Sequence, residues 1–380
     1  MTAPAARSTH ITGLFPELLG VGGVQEAGRL MSLALHGIAR RRCWSVSFAG
    51  LNDPSGPQEF SIAGNAICAQ GFGRAKIKFV RSAIRSVRAT NSANHIIVAG
   101  HPNLAPIAVW LQKISPRARA VVMAHGVEVW QPLPLIRRAA IRTAHLVTGP
   151  STDTIQKLID RQCVASSRTR LLPWPLNPDF LRLTTRADLH LPAGFPQGEI
   201  VLTIGRAAAS EQYKGTDGLI RAVAQLQSAI PNLHLVSVGG GDDLARLKKV
   251  ASESGASQRV HFLQRLSREE LAACYARADV FAMPSAGEGF GIVFLEAMAF
   301  AKPLIAAACG GALDLVHDGI NGLLVPPRDL GALTAALRRL LEDQSLRSGL
   351  GANGAYLVEQ KYRFDVFEAN VERLLAECIT

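Results

Sequence analysis

Between Ala282 and Phe300 the chain reads Ala-Met-Pro-Ser-Ala-Gly-Glu-Gly-Phe-Gly-Ile-Val-Phe-Leu-Glu-Ala-Met-Ala-Phe. An apolar run ends near Met283, a loop carries Gly287, Gly289 and Gly291, and a helical window opens at about Ile292. Glycines at such a join let the main chain approach a ligand and leave the first N–H groups of the helix unblocked. Glu288 lies in the loop and Glu296 in the helix, and eight helical residues rise about 12 Å. A carboxylate accepts paired hydrogen bonds from vicinal hydroxyls, and this spacing is of the order of the reach from a sugar ring across a diphosphate to a ribose. Taken singly, Glu288 also reads as a solvated loop residue and Glu296 as a helix-face charge. Glu296, however, sits among Phe294, Leu295, Ala297 and Met298. A carboxylate there needs a partner.

Three further groups carry candidate chemistry. Thr203-Ile-Gly-Arg-Ala207 closes an apolar run, and Lys214-Gly215 follows in a loop. Arg206 can clamp two oxygens while Lys214 adds a compact charge, a pair suited to a diphosphate, although either alone is also an ordinary surface charge. Gly20-Val-Gly-Gly-Val-Gln25 puts Gly22 and Gly23 after the first apolar run, as an anion loop or simply a turn. Gln25 occupies the place where a dinucleotide fingerprint needs glycine, which counts against a dehydrogenase. Met123-Ala-His-Gly-Val-Glu128 places His125 at the end of another apolar run, with Glu128 available to orient its ring or to cap a helix.

The pattern Glu-Gly-Phe-Gly-x-x-x-x-Glu-Ala-Met-Ala, with Glu288 and Glu296 at its ends, resembles the signature of glycosyltransferase family 4. The likeness runs over nearly the whole chain and is strongest from Leu202 to Pro326. It implies an α/β protein of the GT-B fold, two Rossmann-like domains facing each other across a cleft. It also implies a retaining hexosyltransferase that takes its sugar from a nucleotide diphosphate donor and passes it to a glycan or lipid-linked acceptor, in polysaccharide or glycolipid synthesis. Residue by residue, the resemblance assigns Arg206 and Lys214 to the donor phosphates, Glu296 to the ribose and Glu288 to the donor hexose. Phe290 and Gly291 belong to the same donor-binding stretch, Gly22 and Gly23 approach the phosphate, and His125 reaches the sugar near its reacting carbon. No cofactor is implied beyond the donor itself. No Asp-x-Asp pair occurs, Asp242 and Asp243 being adjacent, so no metal is expected. Charge on the departing diphosphate then falls to Arg206, Lys214 and helix N-terminal amides. Gln264 stands where the family often has glycine and leaves the base contacts open. A nucleotide-sugar epimerase, a phosphorylase or a non-catalytic sugar-nucleotide binder of the same fold are the alternatives.

Elements must hold these residues in place. A chain of 380 residues exceeds one ordinary core and fits two α/β domains. Short apolar runs at 11–15, 44–49, 96–99, 120–124 and 146–148 read as buried parallel strands. A second set follows at 200–204, 233–238, 260–263, 280–283 and 304–307. Three prolines between Leu171 and Asp179 mark the link, giving an acceptor-binding domain over 1–178 and a donor-binding domain over 179–380. A last amphipathic helix, about 365–378, suits either domain.

The net charge of +11 favours anionic partners without choosing among them. No recognition motif supports nucleic acid. In Lys76–Arg88, Ile77, Val80, Ile84 and Val87 share one helical stripe and Lys78, Arg81, Arg85 and Arg88 the stripe beside it. Such a helix either packs its apolar stripe on the sheet or rests on an anionic membrane surface. Met1–His10 is polar and shows no leader pattern, no apolar stretch is long enough to span a bilayer, and the six cysteines form no Cys-x-x-Cys pair. The expected place is the cytoplasm, peripheral at the inner face of the membrane.

Overall fold

The computed structural model describes residues 9–89 and 93–379, so Met1–Ser8, most of the stretch read for a leader, lies outside the described residues. The chain divides into two compact units, one running to Pro175 and taking up the chain again from Phe364, the other spanning Leu176–Arg363.

The first unit begins with β1 (Thr9–Phe15), α1 (Gly23–Arg42), β2 (Ser45–Gly50), β3 (Gly56–Ile62), β4 (Asn65–Gly71), α2 (Lys76–Ala89) and β5 (Asn94–Ala99). It continues through α3 (Ala105–Ile114), β6 (Ala118–Met123), α4 (Leu135–Thr143), β7 (Leu146–Gly149), α5 (Thr152–Asp160) and β8 (Thr169–Leu171). Its eight strands lie in the order β3-β4-β2-β1-β5-β6-β7-β8. Every pairing is parallel except β3 with β4. All seven residues of β1 are buried, as a strand covered by helices on both faces requires.

The β3–β4 hairpin was not legible in the sequence. Its first strand alternates exposed and covered residues rather than forming an apolar run, and its turn is Ala63-Gly64, both at positive φ. That is the backbone of a two-residue hairpin without the Asn-Gly that usually announces one.

The second unit holds α6 (Pro178–Leu183), β9 (Glu199–Ile204), α7 (Thr216–Leu226), β10 (Leu233–Val238), α8 (Leu244–Glu253), β11 (Val260–Leu263) and α9 (Arg268–Arg277). After these come β12 (Val280–Met283), α10 (Ile292–Ala299), β13 (Leu304–Ala307), β14 (Gly322–Val325), α11 (Leu330–Glu342) and α12 (Gln344–Lys361). The six strands run β11-β10-β9-β12-β13-β14, all parallel. Numbered within the unit this is 3-2-1-4-5-6, the doubly wound order, and the strand sequence reverses between β9 and β12. In the first sheet it reverses between β1 and β5. Loops at the carboxyl ends beside such reversals diverge and leave a crevice for ligands.

The last helix, α13 (Phe364–Glu377), belongs to the first unit and packs on α1. Phe367, Val371, Leu374 and Leu375 are buried, and Arg41 and Arg42 pair with Glu368 and Glu372.

One expectation about α2 is corrected. The buried side is Phe79, Ala83 and Val87, while Ile77 is 70% exposed. The helix is therefore turned by roughly one residue, about 100°, from the stripe read off the sequence. Two contacts explain the turn. Phe79 meets Phe72 edge-on, and Ser86 faces the sheet, where its hydroxyl bonds His10 and Thr12. A polar patch on the sheet thus brings Ser86 inward, while Ile84 packs at the edge of the core and Ile77 is left in solvent.

Candidate active site

Where β9 and β12 diverge, the second unit assembles most of the expected donor residues. Gly205 and Arg206 follow β9, and a 3-10 turn over Ala209–Lys214 brings Lys214 back beside them. A β-carbon on Gly205 would come 3.2 Å from Lys214 Nζ, so the lysine lies directly across the strand end. Between the two cations stands Glu211, 9% exposed. It pairs with Arg206 through one carboxylate oxygen and with Lys214 through the other, the latter at 2.8 Å. The sequence shows Glu211 only as part of the seven-residue spacer between Arg206 and Lys214.

The loop after β12 is fastened to this turn. Ala286 donates its N–H to the Tyr213 carbonyl at 2.6 Å, and Gly215 sits so close that a β-carbon would be 2.8 Å from the Pro284 oxygen. Glu288 is half-buried in that loop and accepts from the Gly289 N–H at 3.1 Å. Burial pushes its carboxyl above the usual range, with Glu211 adding to the rise. Lys214 and the N–H groups of Gly289 and Phe290 oppose it. Gly310 and Gly311 fix the loop from behind: Gly311 donates to the Glu288 carbonyl at 2.7 Å, and a β-carbon at Gly310 would lie 2.8 Å from that oxygen. The Phe290 side chain is turned inward, 3% exposed and tilted against Tyr362, which leaves its backbone toward Glu288.

Gly291 caps α10 at φ 93° with no side-chain bond to the helix start. Glu296 is half-buried on that helix, and the partner its apolar neighbours required is Tyr275, whose hydroxyl donates 2.7 Å to Oε2. Tyr275 is fully buried on α9, and burial, reinforced by Glu296, holds its phenol well above the ordinary range. The pair fixes the carboxylate on the helix.

In the first unit, Gly22 caps α1 at φ 147°, again with no side-chain bond. No atom lies within 4 Å of a β-carbon built on Gly23, so this helix start is open. The loop before it is held by two residues that no sequence pattern singles out. Asp53, 1% exposed, accepts from the N–H groups of Leu18 and Leu19, and Arg29 donates to the carbonyls of Leu18 and Gly20.

His125 follows β6. Its Nε2 meets the Gly100 carbonyl at 2.8 Å, and since a carbonyl only accepts, Nε2 carries the proton. The ring is stacked between His101 and Trp174, with centroids 5.7 and 5.6 Å away. Burial drives His101 down to about 4, so it is neutral in this stack at neutral pH. Glu128 does not orient the ring. Its carboxylate accepts from the His125 backbone N–H at 2.6 Å and shapes the loop instead.

Two doubly wound sheets with glycine-rich loops at their strand ends define a nucleotide-binding class of α/β protein, and comparison with known proteins narrows it. Residues 193–356 match the family model of glycosyl transferases group 1. A GDP-mannose-dependent alpha-(1-6)-phosphatidylinositol monomannoside mannosyltransferase of Mycolicibacterium smegmatis is 34% identical over 292 residues, covering 72% of this chain and 74% of that one. A D-inositol 3-phosphate glycosyltransferase of Stackebrandtia nassauensis is 34% identical over 216 residues, covering 54% and 48%. Among solved structures, sucrose-phosphate synthase from Thermosynechococcus elongatus shares the fold at TM-score 0.75 and 24% identity, covering 97% of this chain and 98% of that one. Anabaena HepE in complex with UDP shares it at TM-score 0.71 and 19% identity, covering 96% and 99%. The chain belongs to the group 1 glycosyl transferases of glycosyltransferase family 4, and it is a glycosyltransferase with the GT-B fold.

Proposed function

We propose that this enzyme moves a mannosyl group from GDP-mannose to a lipid-linked acceptor at an anionic membrane surface, with retention of configuration. The observation that carries the donor side is the cluster of Arg206, Glu211, Lys214 and Glu288 where β9 and β12 diverge. Arg206 and Lys214 take the diphosphate, with the open helix start at Gly22–Gly23 and the uncapped one at Gly291 adding oriented N–H groups. Glu296, steadied by Tyr275, takes the ribose hydroxyls, and Glu288 the donor hexose. His125, held by Gly100 and its two stacked neighbours, lies at the sugar near the reacting carbon. In the transfer the bond from the anomeric carbon to the phosphate oxygen breaks, and a bond to the acceptor oxygen forms on the same face. The acceptor's proton passes to the departing phosphate, and the cations stabilise its charge. The first unit binds the acceptor in this reading. The identity of base and sugar rests on the mannosyltransferase relatives.

The membrane side rests on the surface of the first unit. Ile77 on α2 is flanked by exposed Lys76, Lys78 and Arg81. Leu135 and Ile136, 84% and 75% exposed, open α4 just before Arg137 and Arg138. Bare aliphatic side chains among cations suit the headgroup region of an anionic bilayer. Among the described residues no helix is long and apolar enough to cross a membrane.

The deciding experiment is a thermal-shift panel of UDP, GDP, ADP and their sugars, followed by transfer from the stabilising donor to phosphatidylinositol mannosides. A shift with GDP and mannosyl transfer are expected. Stabilisation by UDP or ADP species alone removes the donor assignment, and donor hydrolysis or epimerisation without acceptor dependence removes the reaction.

A further inference from the structure

Glu211 is the feature of the donor cluster that a simple phosphate clamp does not require. Its carboxylate is nearly buried between Arg206 and Lys214. The two cations are held unequally. Lys214 is 20% exposed and packed across Gly205, whereas the Arg206 side chain is 77% exposed. An exposed ion pair costs little to exchange, so Arg206 can leave Glu211 for a ligand far more readily than Lys214 can.

Glu211 itself has little freedom to withdraw. Its turn is pinned from both sides by the loop after β10: Asp242 accepts from the Ala209 N–H at 2.8 Å, and Asp243 from the Gln212 side chain at 3.1 Å. Asp243 is in turn locked by Arg246 at 2.6 Å. The carboxylate therefore stays in the site when an anion arrives. With Glu288 close by, two cations face two carboxylates, and the cluster offers a diphosphate far less net attraction than Arg206 and Lys214 alone would.

We propose that Glu211 is a built-in counter-anion that shares Arg206 and Lys214 with the donor's diphosphate, and so limits how tightly the nucleoside diphosphate product is held. It rests on the donor-site reading above and deepens it. Before binding, the carboxylate keeps Lys214 aimed at the strand end. During binding, Arg206 turns from Glu211 to the phosphates. Once the acceptor's proton, received by the departing phosphate, has been lost to solvent, the product carries one more negative charge than the donor did, and repulsion from the fixed carboxylate favours its departure. Glu211 is thus a positioning and release residue that touches the cations rather than the reacting atoms.

The test is calorimetric titration of nucleoside diphosphate, with the unphosphorylated nucleoside as control, into wild type, Glu211→Gln and Glu211→Asp. Gln keeps an oxygen for Lys214 but loses the charge, so diphosphate should bind about tenfold more tightly, the size expected of one unit charge at a partly exposed site. Nucleoside affinity should not change, and Asp, which keeps the charge, should stay near wild type. In kinetics, Glu211→Gln should lower multiple-turnover kcat and KM together while the single-turnover rate does not fall, because release and not chemistry is slowed. Unchanged or weaker diphosphate binding by Glu211→Gln, in a variant that melts like wild type, overturns the counter-anion. Absence of any nucleotide binding to wild type overturns the donor-site reading itself, and this inference with it.

Discussion

Arg206 and Lys214 test the clamp most directly, because they differ in setting while sharing one carboxylate. Arg206→Ala and Lys214→Ala should each cut transfer by ~10²-fold or more, as removal of one charge-stabilising donor does. Their stabilities should diverge. Arg206 is largely exposed and its loss should leave the melting temperature almost unchanged. Loss of Lys214 strips the nearly buried Glu211 of its covered partner and should destabilise the second unit measurably. Near wild-type turnover in both variants would remove the clamp. The glutamates divide by ligand: Glu296→Ala and Tyr275→Phe should both weaken the free nucleoside diphosphate. Glu288→Gln should spare it and lower turnover with the sugar-bearing donor. Equal losses for nucleotide and nucleotide sugar in all three would show the roles wrongly divided. At this scale Glu288, Glu296, Arg206 and Lys214 were legible because their types and spacing repeat a pattern. Glu211, Tyr275, Asp53 and Trp174 were not, since each acts through a partner at least three residues away in sequence, and most of those partners lie on another element.

Among the elements, α2 and α4 carry the membrane proposal. Wild type should sediment with vesicles containing anionic lipid and lose that binding as salt rises, since exposed charges are screened within about 8 Å at physiological ionic strength. Changing Lys78, Arg81, Arg85 and Arg88 to Gln should abolish most of it, and so should Leu135→Ser with Ile136→Ser. Nucleotide affinity should persist in both. If the quadruple variant still sediments, or if wild type ignores anionic vesicles at low salt, these helices simply face water. The turn of α2 shows why sequence periodicity alone misplaces such a face. Apolar residues occupy a broad arc opposite Lys78, Arg81, Arg85 and Arg88, and which part of that arc is buried falls to Phe72 and to the polar patch beneath Ser86.

For the molecule as a whole, two predictions concern conditions rather than mutations. Transfer should survive excess chelator, given the absence of any Asp-x-Asp pair. An absolute Mg²⁺ or Mn²⁺ requirement would overturn the mechanism. Stability should fall on acidification through the buried pair of His10 and His95. Burial lowers both, His95 to about 4, and Thr12 bonds the latter at 2.9 Å. A histidine whose folded value lies below its unfolded one of 6.5 binds its proton first in the unfolded chain. Stability is therefore complete above pH 6.5 and is lost as pH falls toward 4. The melting temperature should drop across that window, and His95→Gln should flatten the drop. A flat profile in wild type would mean the pair is solvated.

The sequence by itself determined the alternation of strands and helices and the family of the enzyme. Buried parallel strands are written as continuous apolar runs, and Glu288, Glu296 and the glycines about them lie within one short segment. It determined neither the β3–β4 hairpin, whose exposed strand carries no such run, nor the unit that receives α13, whose amphipathic face fits any apolar surface of matching shape. Tertiary structure decided those, together with the rotation of α2 and the partners of each charged group. The physical reason is the same throughout. Local patterns fix what one element can be, whereas ion pairs, stacking and orientation depend on surfaces that meet only when distant segments of chain come together.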